Sequence, residues 1–333
     1  MDYASYPPVC AEEIVRLRRR IARAAVPTKI ADHNLLIATW NVRQFGEVRE
    51  SFETEGSPAR NLRGLAHIAE IVRLFDVVAV QEIRRNTRGM LRLLDVLGPD
   101  WGVVLSDTTR GDAGNDERLA FLYDRRRVIP SGLAGELVLP PLADGNPARQ
   151  FARTPYAVSF RAGEEEFVLV TLHVLYGDDD APELREPELR AIAEWMAEWG
   201  DDPHRYHHDL IVLGDFNIDR RGDPRFEAFT SAGLMVPEAL QAVRTTVTGS
   251  QAKHYDQIAW FMGRIRMVPS GRAGVIEFGD AVFRELTPQR MTFRVSDHLP
   301  MWAEFTIDRS GSRLGTTLGL DLGLPDPFEG VPD

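Results

Sequence analysis

The stretch LIVLGDFN (Leu210–Asn217) carries the strongest fold signal in this 333-residue chain. Its first four residues are apolar and mostly branched at the side chain, which is typical of a short strand buried on both faces. Two polar residues, Asp215 and Asn217, stand where that strand should end. A carboxylate buried at a strand end is costly unless it is paired or binds a cation. The stretch therefore predicts a buried strand with a functional group at its end.

Similar short runs recur along the chain and predict further strands. They are rich in branched or aromatic residues and cover Leu35–Trp40, Val77–Val80, Leu119–Tyr123, Phe167–His173, Gln257–Phe261 and Met301–Ile307. Helical spacing of apolar residues predicts helices at Arg60–Leu74, Arg88–Leu97 and Glu186–Glu198. Sheets that pack on one another and carry helices outside would satisfy both patterns. We therefore expect a layered α/β sandwich.

Polar side chains cluster at the ends of these predicted strands as well. They are Asn41, Gln81, Glu82, Arg84, His173, Asp256, Asp297 and His298. Carboxylates and amides are the hard oxygen ligands that Mg²⁺ or Mn²⁺ prefers, and histidine transfers protons near neutral pH. Taken singly, each could be a cap, a turn residue or a satisfied core histidine. Taken together, they predict one composite site that combines a metal with two histidines.

Six short motifs resemble those of the endonuclease/exonuclease/phosphatase superfamily and follow its order. They are TWNV (Thr39–Val42), QEIR (Gln81–Arg84), LH (Leu172–His173), GDFN (Gly214–Asn217), YDQI (Tyr255–Ile258) and SDHLP (Ser296–Pro300). The resemblance spans roughly residues 35–307 and is nearest to the DNase I-like members. It implies a four-layer α/β sandwich, two packed β-sheets flanked by helices. It also implies cleavage of phosphodiesters or phosphomonoesters with a divalent metal.

The resemblance assigns a metal site and a phosphate site. Glu82 resembles the main metal ligand, with Asn41 beside it, and Asp297 is expected to join the same Mg²⁺ or Mn²⁺. Asp215 and Asn217 resemble the pair that binds the attacked phosphate, the nucleophilic water or a second cation.

The resemblance also assigns two histidines that act with carboxylates. His298 resembles the general base, oriented by Asp256. His173 resembles the second histidine, which protonates the leaving group or stabilises the transition state. Glu117, in ERLAFLY (Glu117–Tyr123), resembles the carboxylate that orients His173. A carboxylate partner fixes the tautomer of a histidine and raises its basicity, which supports both assignments.

Two arginines favour DNA as the partner. Arg84 resembles an arginine that DNase I-like nucleases place in the minor groove, and Arg153 in FARTP resembles one that contacts phosphate. The LH motif argues against the abasic-site endonuclease branch. Asn115 departs from the pattern, because DNase I has a DNA-contacting tyrosine there, and the acidic loop at 177–187 disfavours a polyanion nearby.

Two alternatives to a DNase I-like endonuclease stay open. One is a phosphatase or phosphodiesterase acting on a small phosphoester such as a lipid headgroup, an inositol phosphate or a nucleotide. The other is a catalytically silent binding module on the same fold. Intact Glu82, Asp215, His173 and His298 argue against the silent module.

Composition sets the expected surroundings. The net charge of −11 argues against attraction of nucleic acid to the whole molecule, although it leaves room for a local basic groove. Cys10 is the only cysteine, so no intrachain disulfide can form. Without a secretory signal or an apolar span long enough for a membrane, a cytoplasmic location is expected.

The chain divides into three expected parts. Residues 1–30 form a solvated helical arm around a helix at 11–25, and residues 31–308 form the catalytic domain. Residues 309–333 have weak periodicity with many Gly and Pro residues, which predicts a flexible tail. The histidine-rich stretch at 204–208 is expected to be a solvated loop.

Overall fold

The fold is given by a computed structural model that describes residues 1–53, 59–110, 114–141, 146, 150–176, 185–202, 209–249, 251–320, 328 and 331. In these ranges the helices are α1 (Pro8–Arg23), α2 (Leu62–Val72), α3 (Arg88–Leu97), α4 (Arg185–Asp201), α5 (Pro224–Thr230), α6 (Pro288–Thr292) and α7 (Ser310–Leu318). The strands are β1 (Asn34–Phe45), β2 (Val77–Arg84), β3 (Trp101–Leu105), β4 (Glu117–Asp124), β5 (Ile129–Glu136), β6 (Tyr156–Ala162), β7 (Glu165–His173), β8 (Leu210–Asp215), β9 (Leu234–Met235), β10 (Asp256–Phe261), β11 (Val268–Val275) and β12 (Met301–Thr306).

The strands form two mixed six-stranded sheets. The first sheet has the order β11-β12-β1-β2-β4-β3, and the second has the order β5-β6-β7-β8-β10-β9. In each sheet one central pair is parallel, β1 with β2 and β7 with β8, whereas the other neighbours are antiparallel. Because parallel strands run in the same direction, each of these pairs brings the carboxyl ends of its two strands together at one end of its sheet.

Alternation of side chains along β1 explains the layering. Leu35 and Ile37 belong to the core between the sheets, whereas Leu36 and Ala38 pack on the other face of the first sheet. That outer face is covered by apolar residues of α1, α2 and α3, and α4 and α5 cover the second sheet in the same way. Successive residues of a strand point to opposite faces, so one strand can supply both cores. The four-layer α/β sandwich is confirmed.

All seven predicted strands and the three predicted interior helices are present. The strands that the sequence did not predict include β5 and β11, which lie at sheet edges and consist of half-buried and exposed residues. Their apolar signal is weak because they contain Gly and Pro and bury only part of one face. The two edge strands therefore follow from pairing with a neighbour rather than from an apolar run.

The N-terminal helix is packed on the domain, so the prediction of a solvated arm is wrong. Cys10 and Leu17 are fully buried, and Glu13 is buried beside Arg63 and His67. The basic face of α1 also makes ion pairs, such as that of Arg18 with Glu70 at 3.0 Å. The division of the chain at residues 30 and 308 stays a prediction.

The C-terminal segment contains a helix that its weak periodicity did not predict. α7 occupies Ser310–Leu318, and Arg309 and Arg313 pair with Glu165 and Glu164. Most of the acidic loop at 177–187, the stretch 204–208 and the end of the tail lie outside the described residues. Within the described part of the chain, no helix has the length and hydropathy needed to cross a membrane. The cytoplasmic location stays a prediction.

Candidate active site

The register of the second sheet sets three predicted residues side by side. His173 of β7 pairs with Asp215 of β8 in parallel register, and Asp256 of β10 pairs with Asp215 in antiparallel register. All three side chains are buried, with Asp256 fully so. Residues that lie 42 or 41 positions from Asp215 in sequence therefore become lateral neighbours at one sheet edge.

The GDFN turn has a local physical reason at each position. A Cβ on Gly214 would stand 2.1 Å from the Leu172 carbonyl oxygen, so only glycine lets β8 approach β7 there. Phe216 is fully buried and anchors the turn in the core. Asn217 has a φ of 51°, a left-handed conformation that asparagine tolerates better than most residues. Its Nδ2 donates to the Val174 carbonyl at 2.7 Å, which ties the turn to the end of β7.

The first sheet contributes Asn41 and Glu82 from its parallel pair. Glu82 lies at an irregularity of β2 between Val80 and Ile83 and has a φ of 60°. Asn41 Nδ2 donates to Glu82 Oε1 and to Asp215 Oδ2, both at 2.9 Å. Because Glu82 belongs to the first sheet and Asp215 to the second, Asn41 joins the two sheets at the site.

A second polar bridge lies under the site. Gln81 is fully buried, and its Nε2 donates to Thr39 of β1 at 3.1 Å and to Thr171 of β7 at 2.9 Å. Buried amides are costly unless they are bonded, so this bridge favours one alignment of the two sheets. The sequence marked Gln81 as a polar residue at a strand end but gave it no role.

The two histidines have the same arrangement about Asp215. His298 Nδ1 lies 2.7 Å from Asp256 Oδ2, and His173 Nδ1 lies 2.9 Å from Glu117 Oε2. The Nε2 atoms of His298 and His173 lie 3.7 and 3.6 Å from Asp215 Oδ2. Those distances exceed a hydrogen bond, so both Nε2 atoms can still bond to a substrate or a water.

The buried charges shift the pKa values of these groups. Burial opposes protonation of His298, but Asp256 and Asp215 raise its pKa well above 6.5. Burial and Arg153 oppose protonation of His173, yet Glu117 and Asp215 raise its pKa as well. Burial would raise the pKa of Asp215, whereas the two histidines and Asn41 lower it. The site therefore favours an ionised Asp215 between two histidines that can hold protons.

The oxygen ligands fit a divalent cation. Asn41 Oδ1 and Asp297 Oδ1 are buried, and neither accepts a hydrogen bond. Buried oxygen atoms without a donor are costly, and a hard cation would satisfy them together with the carboxylate of Glu82. Mg²⁺ and Mn²⁺ both suit such a set of carboxylate and amide oxygens.

A second set of possible ligands overlaps with the histidines. Asp215, Asp256 and His298 offer ligand atoms within 4.8 Å of one another in the described part of the chain. The bond between His298 Nδ1 and Asp256 Oδ2 already uses one atom of each residue. A histidine must be neutral to bind a metal, and the pKa of His298 is raised. We therefore favour a proton-transfer role for His298 with Asp256, and we place the cation at the oxygen atoms of Asn41, Glu82 and Asp297.

The structure places the two predicted substrate arginines differently. Arg84 lies at the rim, where its Nη1 donates to the Asn115 carbonyl at 2.7 Å and the side chain is 27% exposed. Arg153 is buried, with its Nε 2.9 Å from Glu117 Oε2, the oxygen that His173 also contacts. A substrate contact by either arginine stays a prediction, and Arg153 has the less open position.

Four residues that the sequence did not single out also belong to the site. Arg43 contacts Asp297, with Nη1 3.2 Å from Oδ2. A cleft of about 350 Å³ opens beside Asp297 and His298 and is also lined by Thr246, Lys253 and Tyr255. The YDQI motif could have pointed to Tyr255. No motif or pattern in the sequence pointed to Arg43, Thr246 or Lys253.

Comparisons with known proteins identify the family of this chain. The model of the endonuclease/exonuclease/phosphatase family matches residues 38–298. A deoxyribonuclease of Thioalkalivibrio sp. (strain K90mix) is 29% identical over 288 residues, which cover 82% of this chain and 71% of that protein. Deoxyribonuclease-1 of Bos taurus is 26% identical over 294 residues, which cover 82% of this chain and 93% of that protein.

Solved structures agree at the level of the fold. An endonuclease/exonuclease/phosphatase family protein from Bacteroides thetaiotaomicron has a TM-score of 0.55 at 19% identity, over 83% of this chain and 98% of that chain. D. rerio TDP2, complexed with a single-strand DNA product, has a TM-score of 0.53 at 18% identity, over 82% and 98%. Because the family model matches most of its length, the chain belongs to the endonuclease/exonuclease/phosphatase family, whose members hydrolyse phosphoesters with a divalent metal.

Proposed function

We propose that the chain is a metal-dependent deoxyribonuclease that hydrolyses phosphodiester bonds of DNA. The observation that carries the proposal is the facing pair of histidines, His298 with Asp256 and His173 with Glu117, on either side of Asp215. Phosphoryl transfer needs mainly positioned groups and stabilised charge, and this arrangement supplies both. The two deoxyribonuclease relatives support DNA as the substrate.

Each histidine has a proposed role. His298 Nε2 takes a proton from the attacking water, while Asp256 holds Nδ1 and stabilises the charged ring. His173 Nε2 holds a proton toward the leaving oxygen, and Glu117 fixes its ring in the same way. Asp215 and Asn217 orient the attacked phosphate or the water between the two rings. The two Nε2 atoms face a common centre, so they can serve opposite ends of one in-line displacement.

The proposed metal residues are Asn41, Glu82 and Asp297. A bound Mg²⁺ or Mn²⁺ would offset charge on the phosphate and on the leaving oxygen. Arg43, at 3.2 Å from Asp297 Oδ2, holds that carboxylate from the side. The positive charge of a bound cation would also lower the pKa of the nearby His298. That pKa would then lie closer to neutral pH, where a general base works best.

The DNA substrate is tested at Arg84. Arg84→Ala should weaken cleavage of supercoiled plasmid far more than hydrolysis of a small phosphodiester, because a small substrate does not extend to the rim. An arginine in the minor groove reads shape rather than base identity, so cutting should show little sequence specificity. The measurement is the rate of each variant on both substrates at saturating metal.

Arg85 provides the matched control. It is the next residue and is exposed, so Arg85→Ala removes an equal charge without changing the contact at Asn115. Each phosphate contact that is lost should also lower the salt dependence of DNA binding by roughly 0.9 log unit per tenfold salt. Equal losses by Arg84→Ala on plasmid and on the small diester would remove DNA as the favoured substrate and leave a small phosphoester.

A further inference from the structure

Arg60 is a buried arginine two residues before α2, and within the described residues its guanidinium donates its hydrogen bonds to backbone oxygens. It is 4% exposed. Its Nε donates to the Arg294 carbonyl at 3.1 Å. Its Nη2 lies 2.9 Å from the carbonyl oxygens of both Arg43 and Val295. One side chain therefore connects two chain segments that are far apart in sequence.

Those two segments carry proposed metal ligands. Arg43 follows Asn41 by two residues, and Val295 precedes Asp297 by two. Asn41 Oδ1 and Asp297 Oδ1 are the buried oxygens that accept no hydrogen bond. A ligand set for Mg²⁺ needs oxygen positions close to an octahedron, so the separation of these segments matters for binding.

The charge of Arg60 is unusual for a group that only supports backbone. No carboxylate pairs with it within ion-pair distance among the residues that the structure describes. Burial lowers its pKa to about 10, while the negative charges of Glu82 and Asp297 raise it. Keeping an unpaired charge in the interior is costly, and an apolar side chain of similar size would avoid that cost. That cost is offset if the planar guanidinium fixes the relative positions of the two backbone segments, which an apolar side chain could not do.

Neighbouring contacts hold the same two segments, since β1 pairs with β12 up to Thr39 and Met301, and Arg60 bridges the segments beyond that point. Ser296 Oγ donates to the Asn41 carbonyl at 2.5 Å and Trp40 Nε1 donates to the His298 carbonyl at 2.8 Å. Each of these side chains donates one hydrogen bond from one segment to the other. The planar guanidinium bonds both segments at once and lies 5.1 Å from the Phe45 ring centre, which limits its tilt.

We propose that Arg60 is a positioning residue that sets the spacing of Asn41 and Asp297 and so prepares the cation site before a metal binds. The inference rests on the proposed metal residues. It predicts that changes at Arg60 weaken metal affinity, although the side chain never touches the metal. Changes to groups that orient metal ligands commonly cost about 10–100-fold in affinity.

The test compares Arg60→Lys and Arg60→Met with the wild-type protein. Lys keeps the positive charge but loses the planar fork, and Met removes both the charge and the hydrogen bonds to the two segments. The measurement is the Kd for Mn²⁺, from the electron paramagnetic resonance signal of free Mn²⁺, on protein shown to be folded by circular dichroism. We expect Kd to rise about 10–100-fold in both variants. We also expect kcat to recover when Mn²⁺ is raised to saturation.

Arg63→Met is the matched control. Arg63 is also buried on α2, but it pairs with Glu13 and Glu285 rather than with the metal segments. This control should lower Tm without changing the Kd for Mn²⁺. An unchanged Kd in both Arg60 variants would overturn the positioning role. If Asn41→Ala and Asp297→Ala also leave Mn²⁺ binding intact, the proposed metal site itself fails, which is a separate result.

Discussion

His298 and His173 each have Nδ1 bonded to a carboxylate and Nε2 close to Asp215, whereas His67, which also bonds a carboxylate, lies away from the site beside Glu13. We expect His298→Ala and His173→Ala each to lower kcat by about 10²–10⁴-fold, the usual contribution of a general acid or base. The fold should remain, since both side chains lie at strand ends. The measurement is kcat at saturating metal, together with Tm.

His33→Ala is the control for that prediction. His33 is half-exposed and lies 3.6 Å from Asp308, outside the site. Its replacement should leave kcat unchanged. A near-wild-type rate for His298→Ala on the true substrate would show that another group activates the water.

Single residues show which part of the site the sequence could predict. His173 and Asp215 end apolar strands and Asp256 begins one, so their convergence was predictable from strand ends. Arg60 was not, because its acceptors lie 17 and 235 residues away and only the folded chain brings them together. Arg153 was expected to contact phosphate, which stays a prediction, and its burial beside Glu117 could not be foreseen from the sequence.

At the scale of secondary structure, α1 is held by a buried ionic cluster. Glu13 is fully buried and contacts Arg63 and His67 of α2. Burial would raise the pKa of Glu13, but His67 and Arg63 lower it from 4.5 to about 2. This contribution to stability is therefore full above pH 4.5 and is lost as pH falls toward 2.

We expect Glu13→Gln to lower the free energy of unfolding by about 3–5 kcal/mol near neutral pH, because it leaves a buried Arg63 without its main partner. The loss in Tm should shrink between pH 4.5 and 2, where the wild-type carboxylate itself becomes protonated. Glu12→Gln is the control, since Glu12 lies on the outer face of α1 with a 70% exposed side chain. A Tm loss that does not change with pH would contradict the ionic cluster.

The same cluster explains why the sequence misjudged α1. Its spacing predicted the helix, and its arginines suggested a solvated face. A glutamate lies at the centre of the buried face and adds nothing to the apolar pattern. The sequence therefore did not show that this face packs on the domain. The edge strands β5 and β11 were missed for a related reason, because backbone pairing stabilises them more than side-chain burial. Elements with a strong apolar pattern were predictable, whereas the docking of α1 and the weakly apolar edge strands were not.

For the whole molecule, charge makes the cation essential to the proposed activity. The chain has a net charge of −11, and Glu82, Asp215 and Asp297 add local negative potential where a phosphate must bind. Two anions within contact distance repel strongly in a partly dry site. We therefore expect chelator-treated protein to be inactive and Mg²⁺ or Mn²⁺ to restore activity.

The cation should also stabilise the fold, which gives a readout independent of turnover. A ligand at about 100 times its Kd adds about 2.7 kcal/mol to the free energy of unfolding when it binds only the folded state. Metal should therefore raise Tm in the wild-type protein, and Asp297→Ala should lose most of that rise. Asp95→Asn should keep it, because Asp95 is an exposed carboxylate on α3 that pairs with Arg92. Full activity in excess chelator after bound metal is removed, with no change of Tm on adding Mg²⁺ or Mn²⁺, would mean that the positive groups of the chain, Arg43 among them, neutralise the phosphate without a metal.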